Sequence, residues 1–170
     1  MLSFDFRAAH TTDIPVIHEM AEVVFRETYR SILSPAQLDY MMEWMYAPHN
    51  LEDQICRQGH NYYIATENGH PAGYVSFNRE GDAEDGKCTY HLQKIYVMPQ
   101  YQGQGLGSQL FDLAVARIRQ LGGERVELNV NRENPALQFY LHKGMKKTRQ
   151  GDFPIGHGYY MNDYIMSLDL

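Results

Sequence analysis

The sequence predicts an α/β fold built on a mixed sheet, and three observations carry that expectation. Stretches of alternating apolar residues occur on both sides of stretches with helical spacing. An Asn68-Gly69 pair joins two strand-like runs, and a glycine-rich segment leads from a strand directly into an amphipathic helix. The chain has 170 residues, 44% hydrophobic and 21% charged, which suits one domain over 1–170 with one sizeable core.

The alternation Leu2, Phe4, Phe6, Ala8 marks a first strand with one buried face. Thr11-Thr12-Asp13 offers an N-cap, Pro15 suits a first helical turn, and Ile17, Met20, Ala21, Val24, Phe25 and Tyr29 form a helical stripe. A second helix follows Ser34-Pro35. Its Leu38, Met41, Met42 and Met45 make a core face, and Pro48 marks its end. A short third helix is expected around Asn50–Arg57, stopping at Gly59.

Tyr62–Thr66 and Ala72–Arg79 read as strands of a hairpin about Asn68-Gly69. The polar stretch Gly81–Gly86 is a turn, and Thr89–Val97 a long strand. After the loop Gln100–Gly107, a helix is expected over Leu106–Leu121, closed by Gly122-Gly123. Val126, Leu128 and Val130 alternate as a strand. A helix from Asn134-Pro135 ends at Gly144. Met145–Arg149 and Tyr160–Leu168 form a last pair of strands, with Gly151–Gly158 expected as a loop.

Composition narrows the function classes. The formal net charge of -6 argues against a nucleic-acid partner, because duplex readers usually carry a basic face. No apolar run approaches the roughly 20 residues of a membrane span, and no signal-peptide pattern opens the chain, so a cytoplasmic protein is expected. Cys56 and Cys88 lack metal spacing and read as free, buried thiols. The His residues are scattered without an HExxH pattern, so no metal site is expected.

The chemistry concentrates in Gln102-Gly103-Gln104-Gly105-Leu106-Gly107. Glycines permit a sharp turn and clear side chains from an approaching ligand, and a helix N-terminus leaves amide donors free. Such a nest binds phosphate or pyrophosphate. A Walker loop would end in Gly-Lys-Ser or Gly-Lys-Thr, which is absent, and a Rossmann fingerprint would be GxGxxG near the start of a βαβ unit. Here the spacing is GxGxG, late in the chain. With Gly105 and Gly107 both assigned to a first helical turn, glycine there costs about 1 kcal/mol relative to alanine, which points to a ligand.

This segment resembles motif A of the Gcn5-related N-acetyltransferases (GNAT), Q/R-x-x-G-x-G/A, preceded by a similar strand, Ile95-Tyr96-Val97-Met98-Pro99. Asn131–Met145 (NRENPALQFYLHKGM) is similar to motif B, and the element order matches along essentially the whole chain. The resemblance implies a mixed central sheet of about six to seven strands with helices on both faces. It implies acetyl-CoA as cofactor, with the loop amides of Gln102, Gly103, Gln104, Gly105, Leu106, Gly107 and Ser108 on the pyrophosphate. Ile95, Tyr96 and Val97 would hold the pantetheine arm, and Asn134 would meet the cofactor. Tyr140 would be the general acid, a role that suits a phenol with pKa near 10. Phe139 reads as packing.

Such chemistry acetylates a primary amine. Glu27, Tyr29 and Trp44, with Tyr46 and the Phe153–Tyr160 segment, are the candidate acceptor site, where aromatics and a carboxylate could cage an ammonium. Resemblance to bacterial polyamine acetyltransferases in Ile32-Leu33-Ser34 and Asp163–Met166 suggests a small-molecule amine such as a polyamine. Acetylation of a protein N-terminus or lysine is an alternative, although Asn129 stands where protein-acetylating relatives often carry a carboxylate. A non-catalytic acetyl-CoA sensor is a further alternative. His91 and Glu127 are candidate bases, with a water chain equally open, and the assembly is expected to be a monomer or homodimer.

Overall fold

In the computed structural model, which describes residues 2–170, seven strands form one mixed sheet in the order β1-β2-β3-β4-β5-β7-β6. The elements run β1 (Asp5–Ala8), α1 (Ile14–Tyr29), α2 (Pro35–Tyr46), α3 (Pro48–Cys56), β2 (Asn61–Glu67), β3 (His70–Asp82) and β4 (Cys88–Val97). They continue with α4 (Leu106–Gln120), β5 (Arg125–Asn131), α5 (Ala136–His142), β6 (Lys146–Gly156) and β7 (Tyr159–Asp169). Every pairing is antiparallel except β4 with β5.

The sheet separates two cores, as expected for helices on both faces. On one, Leu110, Phe111, Ala114 and Ile118 of α4 pack against Val75, Phe77, Leu92, Val126, Leu128 and Met166. On the other, Ile17, Met20 and Phe25 of α1, with Leu38, Met41 and Met42 of α2, cover Tyr62, Ile64 and Tyr74. Removing these side chains from water supplies the main stabilisation, about 25 cal/mol per Å² of apolar surface. Neighbouring residues Ile64/Ala65 and Tyr74/Val75 supply opposite cores, the period of two that alternation predicts. Asn68 and Gly69 both have positive φ (48° and 80°), so the expected hairpin turn forms.

Several local expectations are corrected. Pro48 opens α3 rather than merely closing α2: Ala47 before it is extended (ψ 140°), which breaks the helix, and Pro48 occupies the first turn of the next. Asp13 makes no side-chain cap on α1. Its carboxylate instead accepts both Arg7 guanidinium nitrogens at 2.8 Å and the His10 amide at 2.8 Å, tying β1 to the helix. Gly151–Gly158 is no loop. Its residues extend β6 to Gly156 and turn through His157-Gly158 into β7. Pro154 fits because β6 is an edge strand, where a missing N–H is tolerated. The cysteines are not buried: Cys56, at the end of α3, is exposed and Cys88 half-buried.

Strand β4 contains the feature that shapes the site. Ser76 pairs with Lys94 and Phe77 with Leu92, so Gln93 is an extra residue, a bulge whose side chain donates to Asn78 Oδ1 at 2.7 Å. A bulge bends a strand and increases its twist. Before it Tyr90 and Leu92 face the α4 core, whereas beyond it Tyr96 faces the α1–α2 core, and Lys94 lies over the Tyr46 ring of α2. β4 pairs with β5 only at Thr89, Tyr90 and His91, after which the two parallel strands separate.

Gly73 holds the other side of β4 close. A Cβ there would lie 2.4 Å from the Tyr96 carbonyl oxygen, a contact no real side chain makes. Gly73→Ala is therefore expected to push the end of β4 outward and cost about 1–3 kcal/mol. That loss would be read as a lower urea midpoint with an unchanged m-value, and a midpoint equal to wild type would contradict the close approach.

Candidate functional site

The separation of β4 and β5 leaves a slot whose walls are strand backbone without strand partners. Past its mouth, Gln102 closes the loop by donating Nε2 to the Val97 carbonyl at 3.3 Å, and α4 begins at Leu106. Gly105 is the N-cap of α4 with φ 79°, a left-handed conformation that L side chains adopt at a cost of about 1–2 kcal/mol. This corrects the expectation that it lies in the first helical turn. Its glycine is required by the backbone, and only Gly107 is helical.

No side chain caps α4. The amides of its first turn therefore face outward with the helix dipole behind them. Hypothetical Cβ atoms on Gly103 and Gly105 would meet nothing within 4 Å, so both open onto space, while one on Gly107 would touch Val97 Cγ2 (3.9 Å) and Phe139 Cζ (4.0 Å). The Leu106 side chain is buried in the α4 core, which leaves only its backbone for a ligand. Ser108 Oγ accepts from Lys143 Nζ at 2.8 Å, and the same ammonium meets Asp112 Oδ1 at 2.8 Å. Lys143, just past α5, thus ties the start of α4 to α5 through Ser108 and an ion pair with Asp112, a residue that spacing alone did not single out.

The slot opens into a cavity of about 1060 Å³. Twelve residues expected at the cofactor and acceptor sites line it: Glu27, Tyr29, Trp44, Tyr46, Ile95, Tyr96, Val97, Gln102, Gly107, Asn134, Tyr140 and, alone of the Phe153–Tyr160 segment, Tyr160. Gly103, Gln104, Gly105, Leu106 and Ser108 lie at its margin in the loop and the start of α4, outside the lining. Glu27 and the 45%-exposed Trp44 stand on the rim. His91 lines the cavity with Nδ1 3.6 Å from Glu80, whereas Glu127 does not, and pairs with Arg149 at 3.5 Å.

Asn134 works locally. Its Oδ1 accepts the Ala136 amide at 2.9 Å, starting α5, and its Nδ2 donates to Tyr29 Oη at 3.1 Å. Burial pushes Tyr29 up to about 12. Tyr140, on α5, is raised above the ordinary phenol value by burial and by Tyr29. Tyr46 and Tyr96 share a hydrogen bond between their hydroxyls, and burial raises both well above the usual range.

Two charged groups in the cavity were not assigned a role from sequence. Asp163 of β7 is buried, accepts from Asn129 Nδ2 at 3.2 Å, and has its carboxyl raised by burial. Lys94 is surrounded by protein and touches solvent through the cavity; burial lowers its ammonium to about 8, against the pull of Asp163. Asp163 lay within a stretch that the sequence resemblance used, but Lys94 is brought to the cavity by the bulge, which strand alternation does not reveal.

The sequence profile described as the Acetyltransferase (GNAT) family matches residues 24–145. The chain is 33% identical over 89 residues to an aminoalkylphosphonate N-acetyltransferase of Salmonella typhimurium, covering 52% of this chain and 58% of that protein. It is 25% identical over 148 residues to an uncharacterized N-acetyltransferase of Lactobacillus delbrueckii subsp. lactis, covering 85% of each. The chain therefore spans about three fifths of the first relative and most of the second. In fold it is similar to the PaiA N-acetyltransferase of Thermoplasma acidophilum in complex with coenzyme A, with a TM-score of 0.81 at 20% identity over 99% of this chain and 100% of that one.

Asn134→Ala removes both the start of α5 and the partner of a buried phenol. A loss of about 1–2 kcal/mol is expected in urea unfolding, with a smaller loss for Tyr29→Phe. Equal stability of Asn134→Ala and wild type would contradict the local role.

Proposed function

The chain belongs to the acetyltransferase (GNAT) family, and on that premise we propose that it transfers the acetyl group of acetyl-CoA to a primary amine of a small molecule, with Tyr140 as general acid. The observation that carries this reading is the continuity of slot and cavity. Uncapped amides at the start of α4, the unpaired wall of β4 and the Tyr140 phenol border one space. The residues fit coenzyme A: two glycines open outward at the loop, and no side chain takes the helix amides. Acetyl-CoA supplies the activated acetyl group as a thioester.

The chain's own residues would then act as follows. Amides from Gln102 to Ser108 bind the pyrophosphate, and the backbone of Ile95, Tyr96 and Val97 orients the pantetheine arm. Tyr140 donates its proton to the departing sulfur. Because the phenol is raised, this acid stays protonated below about pH 10 and is lost only above its own pKa. A decline of kcat at lower alkaline pH would have another source. Asp163 and His91, both on the cavity, are the candidate acceptors for the proton that the amine loses.

At the rim, Glu27, Tyr29 and Trp44 form the proposed acceptor approach. Polyamines, the class suggested by the sequence, enter the acceptor panel with amino acids, aminoalkylphosphonates, aminoglycosides and short peptides, the last testing a protein acceptor. Release of free thiol from acetyl-CoA reads turnover. Tyr140→Phe is expected to lower kcat about 10²–10⁴-fold while coenzyme A binding persists. Unchanged kcat in this variant would remove Tyr140 from the chemistry, and coenzyme A binding without turnover of any amine would favour a sensor.

A further inference from the structure

The lysines away from the cavity are exposed or held in ion pairs. Lys87 meets Asp169 at 2.9 Å, Lys143 meets Asp112 at 2.8 Å, and Lys146 and Lys147 stand exposed on the edge strand β6. Lys94 differs. Among the described residues it is the only lysine or arginine that lines the cavity, and no carboxylate oxygen lies within 4.0 Å of its Nζ. The bulge at Gln93 turns it inward, immediately before the Ile95–Val97 backbone that borders the slot. Its Nζ lies 5.9 Å from the centroid of the Tyr46 ring, and the Tyr46 hydroxyl shares a hydrogen bond with that of Tyr96. Tyr140, the proposed acid, is near enough to Tyr96 to raise its phenol. A primary amine on a flexible stem thus borders the space assigned to acetyl transfer.

The groups facing Lys94 leave its amine free to react. Tyr46 of α2 offers only a ring face. His60, just before β2, is neutral at pH 7, because burial and the charges of Lys94 and His91 lower it to about 4. Asp163 of β7 acts from across the cavity, and His91 of β4 is directed to Glu80 at 3.6 Å. Burial lowers the Lys94 ammonium to about 8, so roughly one amine in ten is neutral at pH 7. For an ordinary lysine the neutral fraction is about three in ten thousand. A desolvated lysine of this kind is a competent nucleophile.

We propose that Lys94 is a self-acetylation site: without an amine acceptor the chain transfers an acetyl group from acetyl-CoA to Lys94 Nζ, and the resulting amide closes the acceptor space. The neutral nitrogen attacks the thioester carbonyl carbon; the C–N bond forms and the C–S bond breaks. Tyr140 donates its proton to the departing thiolate, and Asp163 accepts the surplus proton from the nitrogen. The products are N-acetyl-lysine and free coenzyme A, and exchange with solvent resets both side chains. Acetylation replaces an ionisable amine with a bulkier neutral amide on the cavity wall. An acceptor amine competes for the same acetyl group, so a saturating acceptor protects Lys94. This inference rests on the acetyl-transfer reading above and adds a regulation of that site.

The test incubates the full chain with acetyl-CoA and no amine, and reads the modification by intact mass and peptide mapping. One acetyl group per chain is expected, on Lys94, appearing about tenfold or more faster than on the exposed Lys146 and Lys147. Excess coenzyme A slows it, and so does Tyr140→Phe, in which coenzyme A still binds. After preincubation with acetyl-CoA, wild-type turnover of amines falls in step with the acetylated fraction, whereas Lys94→Arg shows no such time-dependent loss. Acetylation spread evenly over the exposed lysines overturns the proposal, as does an acetylated chain that turns amines over at the unmodified rate. Turnover of amines by a chain whose Lys94 stays unmodified overturns it and leaves acetyl transfer standing. Lys94 acetylated with no amine turned over supports it, and a chain that binds no coenzyme A and gains no acetyl group sinks both readings.

Discussion

The site depends on two parallel strands that stay together for three residues and then part. Paired backbone is satisfied backbone, so a sheet interrupted at its centre must offer its free amides and carbonyls to something else. Here the β4–β5 pairing ends at His91 and Glu127, while β4 runs on to Val97 and β5 to Asn131. The bulge at Gln93 bends β4, and the absence of a side chain at Gly73 lets β3 follow it closely. β4 is anchored on both faces, by Tyr90 and Leu92 in the α4 core and by Tyr96 in the α1–α2 core, whereas Val126, Leu128 and Val130 anchor β5 in the α4 core alone.

Polar groups are distributed accordingly. Away from the opening they are paired: Arg7 with Asp13, Arg125 with Asp85 and Asp169, Tyr40 with the Ile155 carbonyl. Around the opening they are left available, as uncapped amides at α4 and as the Lys94 ammonium on the cavity. Burial explains the direction of the shifts there. It raises the phenols of Tyr29 and Tyr140 and the carboxyl of Asp163, and lowers Lys94 and His60. The cavity thus favours neutral phenols that can donate protons, which is the state a general acid needs.

Much of this was legible in the sequence because it is local. Asn68-Gly69 specifies its turn by backbone conformation, Ser34-Pro35 begins α2 with Ser34 Oγ accepting the Gln37 amide at 3.1 Å, and the spaced glycines announce the loop before α4. What the sequence hid depends on partners far along the chain. Gly151 and Pro154 look like loop punctuation until β7 pairs with them as an edge hairpin. Lys94 follows Leu92 by two residues and by simple alternation would share its face; only pairing with Ser76 across the bulge turns it to the cavity. Asn134 carries a recognisable motif position, yet its bonds to Ala136 and Tyr29 are set by the fold.

The central claim is that the parted strands and the start of α4 form a coenzyme A site. Titrating coenzyme A into the isotopically labelled chain and following backbone amide shifts tests it most directly. Saturable shifts concentrated at Gly103–Ser108 and Ile95–Val97 are expected. No saturable binding, or shifts confined to surfaces away from the β4–β5 opening, would contradict it.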